Sequence, residues 1–335
     1  LPGLVEASES SIPVLGITSD ISTTGRGRYA LTELDQESLF RPLTKWNSVI
    51  DRADRLPAQV RAAFRAMTTG RPGAAQLGLP FDVQEGAVPE FELWAQAEFG
   101  NYPALPAAPD PVAVDTLLDA LLSSCSPVIV CGGGVVISRG EASLSEFAET
   151  LNLPVATTIS GQGSLPETHP NCVGVVGSNG GIEATRKIID NADLVLFLSC
   201  RAGSVTTERW SSPNHKTRIL HIDSDPMVIS ANYPTEVGMV CDARLGLNAL
   251  NSALRKRGEI STEFRGKERA SVAKSEKAKY FAELSGSAVS PILPERLIAD
   301  LQKVLPEDAV IVADPGTPCP YVSAYYELPK AGRYF

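Results

Sequence analysis

Three consecutive glycines, Gly132, Gly133 and Gly134, follow the apolar run 128–131 and form the first group whose residue types suggest binding chemistry. An apolar run without alternation is typical of a strand buried on both faces, and glycines after it let a ligand approach backbone N–H groups closely. The spacing differs from the G-x-G-x-x-G fingerprint of dinucleotide-binding turns. The glycines therefore indicate either a nucleotide-binding turn or a tight turn without a ligand.

Small and polar residues follow the other predicted strands of the same region. Parallel strands bring their carboxyl ends to one edge of a sheet, and ligands of open α/β sheets bind at that edge. Arg201 could pair with a phosphate and Asp223 could accept hydrogen bonds from ribose hydroxyls; a surface ion pair and a helix N-cap are the structural alternatives. The residues expected at this edge, called the crest below, are Gly132, Gly133, Gly134, Thr158, Ile159, Gly177, Ser199, Arg201, Asp223, Ser224 and Asp242.

The crest lacks the groups that catalysis would need. No histidine, lysine or glutamate follows these strands as a general base, and neither a G-x-S-x-G elbow nor a Walker G-x-x-x-x-G-K motif occurs. His221 lies inside an apolar run, which predicts a packed histidine. These observations favour a region that holds a nucleotide such as FAD or ADP without catalysis, and they disfavour a nicotinamide dehydrogenase.

The elements that would position the crest alternate regularly between residues 111 and 255. Short apolar strands alternating with helices predict a doubly wound parallel sheet with helices on both faces, a Rossmann-like domain. The predicted strands are 128–131, 155–158, 173–176, 194–198, 219–222 and 237–240, and the predicted helices are 115–123, 142–151, 182–191, 226–231 and 244–254.

The flanking segments have the composition of incomplete α/β domains and linkers. Residues 1–83 contain predicted strands 12–18, 47–50 and 74–79 and a helix at 55–69, and residues 293–335 contain a helix at 294–305 and a strand at 309–313. A proline-rich linker at 84–110 and a charged, then Ser/Gly-rich linker with a helical portion at 256–292 separate them from the central domain, 111–255. Because each flank has few elements, we expect a piece of a longer chain that lacks both ends.

Composition and charge argue against several classes of function. The chain has 335 residues, a formal net charge of -9 and a pI near 5.0, which disfavours a nucleic-acid surface. No apolar run approaches the ~20 residues of a membrane span, and no secretory signal is visible. Six cysteines without C-x-x-C pairs and three scattered histidines favour reduced, buried thiols in a cytoplasmic protein over a zinc site.

The order of short motifs along the chain resembles the thiamine diphosphate enzymes of the acetolactate synthase type. Residues 44–47 (Thr-Lys-Trp-Asn), 69–73 and 79–83 look like the second half of that family's pyrimidine-binding domain. Residues 127–134, 153–158, 161–163, 169–170 and 221–223 are similar to its central domain, and Asp-Pro-Gly-Thr at 314–317 is similar to the start of its diphosphate-binding domain.

This resemblance implies a cofactor, a reaction and an assembly. Thiamine diphosphate with Mg²⁺ would lie between the first domain of one subunit and the third domain of another, which implies a homodimer or homotetramer. A 2-keto acid such as pyruvate would lose carbon dioxide, and a second carbonyl or a proton would capture the product, so the enzyme would be a transferase or a lyase. Gly316, Thr317 and Pro318 match the segment that cradles the diphosphate, and the crest residues match the positions that hold FAD in acetolactate synthases.

The chain also departs from the family's pattern. The glutamate that activates the cofactor would precede Leu1 and the Gly-Asp-Gly…Asn metal motif would follow Phe335, so we assign no catalytic residue or metal ligand and expect this chain alone to be inactive. Residues 31–33 (Leu-Thr-Glu) replace Phe-Gln-Glu, Phe81 replaces a lysine, and residues 201–206 replace an Arg-Phe-Asp-Asp-Arg run. Since these positions lie near the substrate and the cofactors, the resemblance supports the cofactor chemistry more than the acetolactate reaction.

Overall fold

The computed structural model describes residues 1–260, 262–314, 316–328 and 333–334. The chain forms two compact units, Leu1–Pro106 and Ala107–Phe335. The finer division into domains at 1–83, 111–255 and 293–335 stays a prediction, and Pro315, residues 329–332 and Phe335 of the last predicted domain lie outside the described residues.

The first unit contains a three-stranded parallel sheet with the order β1-β3-β2. Helix α3 covers one face, because Ala63 and Met67 lie on its apolar side and pack with Leu77 of β3. The helix has a proline in its first turn and ends before Gly70, which adopts a positive φ of 57°. The elements are α1 (Pro2–Glu9), β1 (Leu15–Asp20), α2 (Gln36–Phe40), β2 (Trp46–Val49), α3 (Leu56–Thr68), β3 (Ala75–Pro80) and α4 (Phe81–Gln84).

The second unit contains a six-stranded parallel sheet with the order β6-β5-β4-β7-β8-β9. This is the doubly wound order, in which the chain reverses its direction of travel between β4 and β7. The predicted α/β fold class with a Rossmann-like central domain is therefore confirmed. The elements up to the end of the sheet are α5 (Pro111–Leu122), β4 (Pro127–Cys131), α6 (Gly134–Ser138), α7 (Glu141–Leu151), β5 (Val155–Thr157), β6 (Cys172–Val175), α8 (Glu183–Asp190), β7 (Leu194–Leu198), β8 (Arg218–Asp223) and β9 (Val237–Val240). They are followed by α9 (Ala243–Arg257), α10 (Gly266–Ser285), α11 (Pro294–Val304) and α12 (Pro318–Tyr325).

The sheet of the second unit is buried on both faces, which explains why its central strands lack alternation. All residues of β4 and β7 are buried. On one face, α5, α7 and α9 pack with Ile129 and Leu196, and on the other face α8 and α10 pack with Val130 and Phe197. Each strand therefore needs apolar side chains at successive positions.

Helix α10 lies in the segment 256–292, where the sequence predicts a linker with a helical portion. Its residues Ala270 and Ala273 are 0% and 2% exposed and belong to the second core. Arg269 donates from Nη1 to the carbonyl oxygen of Pro127 at 2.6 Å, which ties the helix to the start of β4. The helical portion is thus an integral layer of the second unit, in contact with β6 and α8.

Two smaller expectations are wrong. Residues 226–231 form turns instead of a helix, because Asp225 accepts a hydrogen bond from the Met227 amide at 3.0 Å and Ser230 adopts a positive φ of 62°. Residues 309–313 form no extended strand, since Ile311 makes a single isolated bridge with Tyr334. Among the described residues this bridge is the segment's one β-pairing, which is too little to form a strand.

Helices α11 and α12 form a small core with the end of α10. Tyr325 of α12 is 5% exposed and stacks on Phe281 of α10 with ring centroids 4.8 Å apart. Ile298 of α11 is buried in the same cluster. Within the part of the chain that the structure describes, no helix is both long and apolar enough to cross a membrane.

The docking of α10 can be tested with a buried charge. We expect Ala270→Asp to lower the free energy of unfolding of the chain by about 3–5 kcal/mol, because the carboxylate would lack a partner in the second core. Ala278→Asp is the matched control, since Ala278 lies on the exposed side of the same helix, and it should change stability by less than ~0.5 kcal/mol. Urea unfolding gives both values, and equal losses would show that α10 does not pack as described.

Candidate functional site

The structure places every predicted crest residue at the carboxyl edge of the six-stranded sheet, at or just after a strand end. The glycine turn lies at the switch point, where β4 and β7 are neighbours. Gly132 donates its amide to the Leu198 carbonyl at 2.9 Å, and a Cβ on Gly132 would overlap the carbonyl oxygen of Ser199 and lie 2.8 Å from the Cα of Cys200. The loop after β7 thus occupies the space that this glycine leaves open.

Neighbouring turns interlock in the same way along the crest. A Cβ on Gly133 would lie 3.0 Å from Ser160, which belongs to the 3₁₀ turn Ile159–Gly161 after β5. Thr158 caps that turn, because its hydroxyl oxygen accepts from the Gly161 amide at 3.1 Å. Ile159 begins the turn and is half-buried.

The turn after β6 joins the loop after β7. Gly177 has a positive φ of 95°, and a Cβ there would overlap the carbonyl oxygen of Val205. The Ser178 amide donates to that same oxygen at 2.8 Å. Glycine is needed at these positions because other segments of the chain lie too close for a side chain. This agrees with the second interpretation of the glycine turn, a tight turn without a ligand.

The two crest aspartates are engaged in local hydrogen bonds. Asp223 is 7% exposed, and its Oδ1 accepts from the Asp225 amide at 2.9 Å, which forms a turn and not a helix cap. Asp242 is 5% exposed and is the N-cap of α9, because its Oδ1 accepts from the Leu245 amide at 3.0 Å. Ser224 lies half-buried beside Asp223.

Arg201 and Ser199 lie in the irregular loop that connects β7 to β8. Ser199 adopts a positive φ of 46° while its amide donates to the Ile222 carbonyl at 2.6 Å. Arg201 is exposed, and its carbonyl oxygen accepts from Nδ2 of Asn232 at 3.1 Å. The crest is therefore a compact set of interlocked turns, in which Ser199 and Ser160 lie against the Cβ positions of Gly132, Gly133 and Gly134.

The buried histidine and cysteines near the crest are neutral and unreactive. His221 is 3% exposed and shares a hydrogen bond between its Nε2 and the Cys200 carbonyl at 2.9 Å, so Nε2 carries the proton. Burial lowers the pKa of His221, which keeps the ring neutral. Burial also raises the pKa of Cys131 and Cys200 to about 12, so these thiols are poor nucleophiles. The prediction of a packed histidine is confirmed.

A second candidate site lies at the N-terminus of α12, where the sequence predicts a diphosphate cradle. Gly316 and Thr317 are exposed and directly precede the helix, and Pro318 occupies its first position. Among the described residues no side chain caps this helix and its first turn has no acidic residue, so the positive end of the helix dipole is exposed, with Cys319 the one N–H donor between Pro318 and Pro320. The Gly316 amide donates to Oδ1 of Asp314 at 3.1 Å. The Gly316 amide is therefore engaged within the chain, whereas Thr317 is exposed at the start of the helix.

One buried polar cluster was not predicted from the sequence. Gln162, Glu167 and Ser323 are 5%, 7% and 1% exposed and meet between the loop after β5 and helix α12. A glutamate and a glutamine in an otherwise small and apolar run, 161–167, are the only sequence signal. Across residues 1–260, 262–314, 316–328 and 333–334, no group of three or more His, Cys, Asp or Glu side chains could hold a metal ion.

The doubly wound parallel sheet with helices on both faces defines an α/β protein with a Rossmann-like domain, and comparison with known proteins narrows this class. Residues 114–250 match the family model described as "Thiamine pyrophosphate enzyme, central domain". The chain is 33% identical over 309 residues to a probable acetolactate synthase large subunit of Methanocaldococcus jannaschii, covering 91% of this chain and 51% of that protein.

Two further relatives cover nearly all of the chain. Acetolactate synthase isozyme 3 large subunit of Escherichia coli is 26% identical over 340 residues, covering 100% of this chain and 58% of that protein. Acetolactate synthase large subunit IlvB1 of Mycobacterium tuberculosis is 29% identical over 335 residues, covering 98% and 53%. The chain belongs to the acetolactate synthase-like family of thiamine diphosphate enzymes, and it spans about half the length of these curated relatives.

The close contact of Gly132 with the backbone of Ser199 and Cys200 can be tested by substitution. We expect Gly132→Ala to lower the free energy of unfolding by about 2–3 kcal/mol, since the new methyl group would collide with the backbone of Ser199 and Cys200. Gly203→Ala is the control, because a Cβ at Gly203 meets nothing within 4 Å. Guanidinium unfolding without any added nucleotide measures both variants, and a stable Gly132→Ala protein would contradict the self-packing of this turn.

Proposed function

We propose that this chain is part of a thiamine diphosphate-dependent enzyme that acts on a 2-keto acid such as pyruvate, as a carboligase or a decarboxylase. The observation that carries the proposal is the similarity to acetolactate synthase large subunits along nearly the whole chain, from the first unit to α12. The uncapped N-terminus of α12 supports it, because an anionic diphosphate would be stabilised there.

The chain's own contribution would be to bind and orient the cofactor. Thiamine diphosphate, when bound, supplies a carbanion equivalent that attacks the keto carbon and accepts the electron pair as carbon dioxide leaves. Thr317 would offer its hydroxyl and the dipole of α12 to the diphosphate, while Pro318 fixes the first turn of the helix. Mg²⁺, a homodimer or homotetramer and a cytoplasmic location complete the proposal, and they rest on the family resemblance.

The alternative function is a non-catalytic module that binds FAD or ADP in the central domain. The contacts at the crest give it no support, since Gly132–Gly134 are accounted for by packing against the loops that follow β5 and β7. Asp242 is also committed to capping α9. We therefore leave FAD and ADP out of the proposed function.

The proposal can be tested in the protein of complete natural length that contains this chain. With thiamine diphosphate and Mg²⁺, we expect consumption of pyruvate, glyoxylate or benzoylformate with release of carbon dioxide. Thr317→Asp should weaken thiamine diphosphate binding at least ~10-fold, because it sets a negative charge beside the diphosphate, whereas Thr317→Ser should bind almost normally. Failure of the unmodified protein to consume any 2-keto acid would count against the proposal.

The isolated 335-residue chain gives a separate test. The Gly-Asp-Gly…Asn motif of the family does not occur in it, and the resemblance places the activating glutamate before Leu1, so we expect no turnover and no tight binding of thiamine diphosphate. Isothermal titration with thiamine diphosphate and Mg²⁺ measures the affinity directly. A dissociation constant below ~10 μM would show that residues 1–335 hold a complete site.

A further inference from the structure

The buried cluster around Glu167 joins the central sheet to helix α12. The side-chain nitrogen of Gln162 donates to Oε1 of Glu167 at 3.0 Å and to the carbonyl oxygen of Ser323, in α12, at 3.1 Å. The Glu167 amide donates to the carbonyl oxygen of Leu328 at 3.2 Å, just beyond the helix. Two of these hydrogen bonds therefore hold Ser323 of α12 and Leu328 beyond it against the loop that follows β5, and the third orients Gln162 within that loop.

A second contact holds the same part of the helix. Gly180 has a positive φ of 128°, and a Cβ on it would lie 2.5 Å from the Cβ of Ser323. Helix α12 also contacts β6, the strand before this glycine. Because Ser323 is held from two sides, α12 has little freedom to shift along or across the edge of the sheet.

Two buried side-chain oxygens of this cluster lack a hydrogen-bond donor among the described residues. Oε2 of Glu167 and Oε1 of Gln162 are both buried and have no partner among the described residues. An ionised carboxylate would present two acceptors here and satisfy only one, whereas a protonated carboxyl group has an O–H to donate. Burial raises the pKa of Glu167, which favours the protonated form.

The charged and titratable groups around Glu167 come from every neighbouring element. Lys277 of α10 lowers the pKa of Glu167, and Glu327, after α12, raises it. Cys172 of β6 is fully buried next to the cluster, with a pKa raised to about 12 by burial, and Lys274 of α10 faces it. Burial is the largest of these effects on Glu167.

We infer that Glu167, acting as a neutral carboxyl group with Gln162, is a positioning residue that sets the place of α12 and hence of Thr317 at the start of the same helix. Ser323 lies six residues after Thr317, which is about 9 Å along one rigid helix, so displacement at Ser323 moves the diphosphate loop as well. The link to thiamine diphosphate rests on the proposed function, whereas the docking of α12 does not.

The raised pKa of Glu167 determines how the docking of α12 depends on pH. A carboxyl group whose pKa is higher in the folded state than in the unfolded chain stabilises the fold at low pH, and this contribution is lost as the pH rises from the unfolded value through the folded one. Ionised Glu167 would then leave its second oxygen without a partner and weaken the docking of α12. Glu167→Gln keeps the shape and stays neutral at every pH.

Hydrogen exchange of the protein at its complete natural length tests the docking without any cofactor. In Glu167→Ala we expect the amides of residues 319 and 321–326 to exchange about 10-fold faster than in the unmodified protein, after correction for intrinsic rates, while β4 and β7 keep their protection. Glu167→Gln should restore the protection and remove its decline with pH. Glu283→Ala, at an exposed position of α10, is the control and should change neither.

Gln162→Ala is the second variant, because it removes the hydrogen bond to Ser323 but keeps the carboxyl group. It should show the same selective loss, so the inference stays testable if Glu167→Ala fails to fold. Normal protection of α12 in either alanine variant, or equal loss in Glu167→Gln, would overturn the inference.

Titration of thiamine diphosphate and Mg²⁺ into the same proteins tests the link to the cofactor. We expect Glu167→Ala to weaken binding about 10-fold and Glu167→Gln to leave it within about 2-fold. Unchanged affinity in Glu167→Ala, despite faster exchange in α12, would overturn the link. If the unmodified protein does not bind thiamine diphosphate at all, the proposed function fails, and the exchange data still decide the docking.

Discussion

The contact between the glycine turn and the loop after β7 is the constraint on which the second unit depends. At the switch point of a doubly wound sheet, β4 and β7 are neighbours but their connections leave in opposite directions. Gly132 lets the two backbones touch, and its amide continues the ladder to Leu198. With any larger residue the two loops would have to move apart, and the turn at Gly177, which packs on the loop after β7, would be disturbed with them.

The same unit is completed by helices from far along the chain. Ala270 and Ala273 of α10 pack into the core on the face opposite α5, α7 and α9, so residues beyond the last strand finish the second layer. Helix α12 then docks on the edge of the sheet through Ser323, and α10 supports it through Phe281. The central domain thus serves as the rigid support for the segment that carries Thr317.

In the second unit, the crest contributes to the stability of the fold, whereas the start of α12 is the segment proposed to bind the cofactor. The crest, which looks like a ligand site in composition, is occupied by hydrogen bonds and contacts within the chain, and its aspartates cap or turn the backbone. The N-terminus of α12 is exposed, and within the described residues no side chain caps it. A helix start that binds a diphosphate must be held firmly, since an anion gains most from amides that are already oriented.

The sequence by itself determined the strands of both sheets to within three residues at each end, the doubly wound class and the packed state of His221, because these follow from local apolar patterns and strand period. It also determined the family, through the order of short motifs. Only the tertiary structure decided that Gly132 serves the chain's own backbone, that α10 belongs to the core, and that residues 226–231 are turns. The partners in those contacts, such as Ser199 with Gly132 or Gln162 with Ser323, are far apart in sequence, and no local pattern records which distant backbone will arrive at a glycine or a buried carboxyl group.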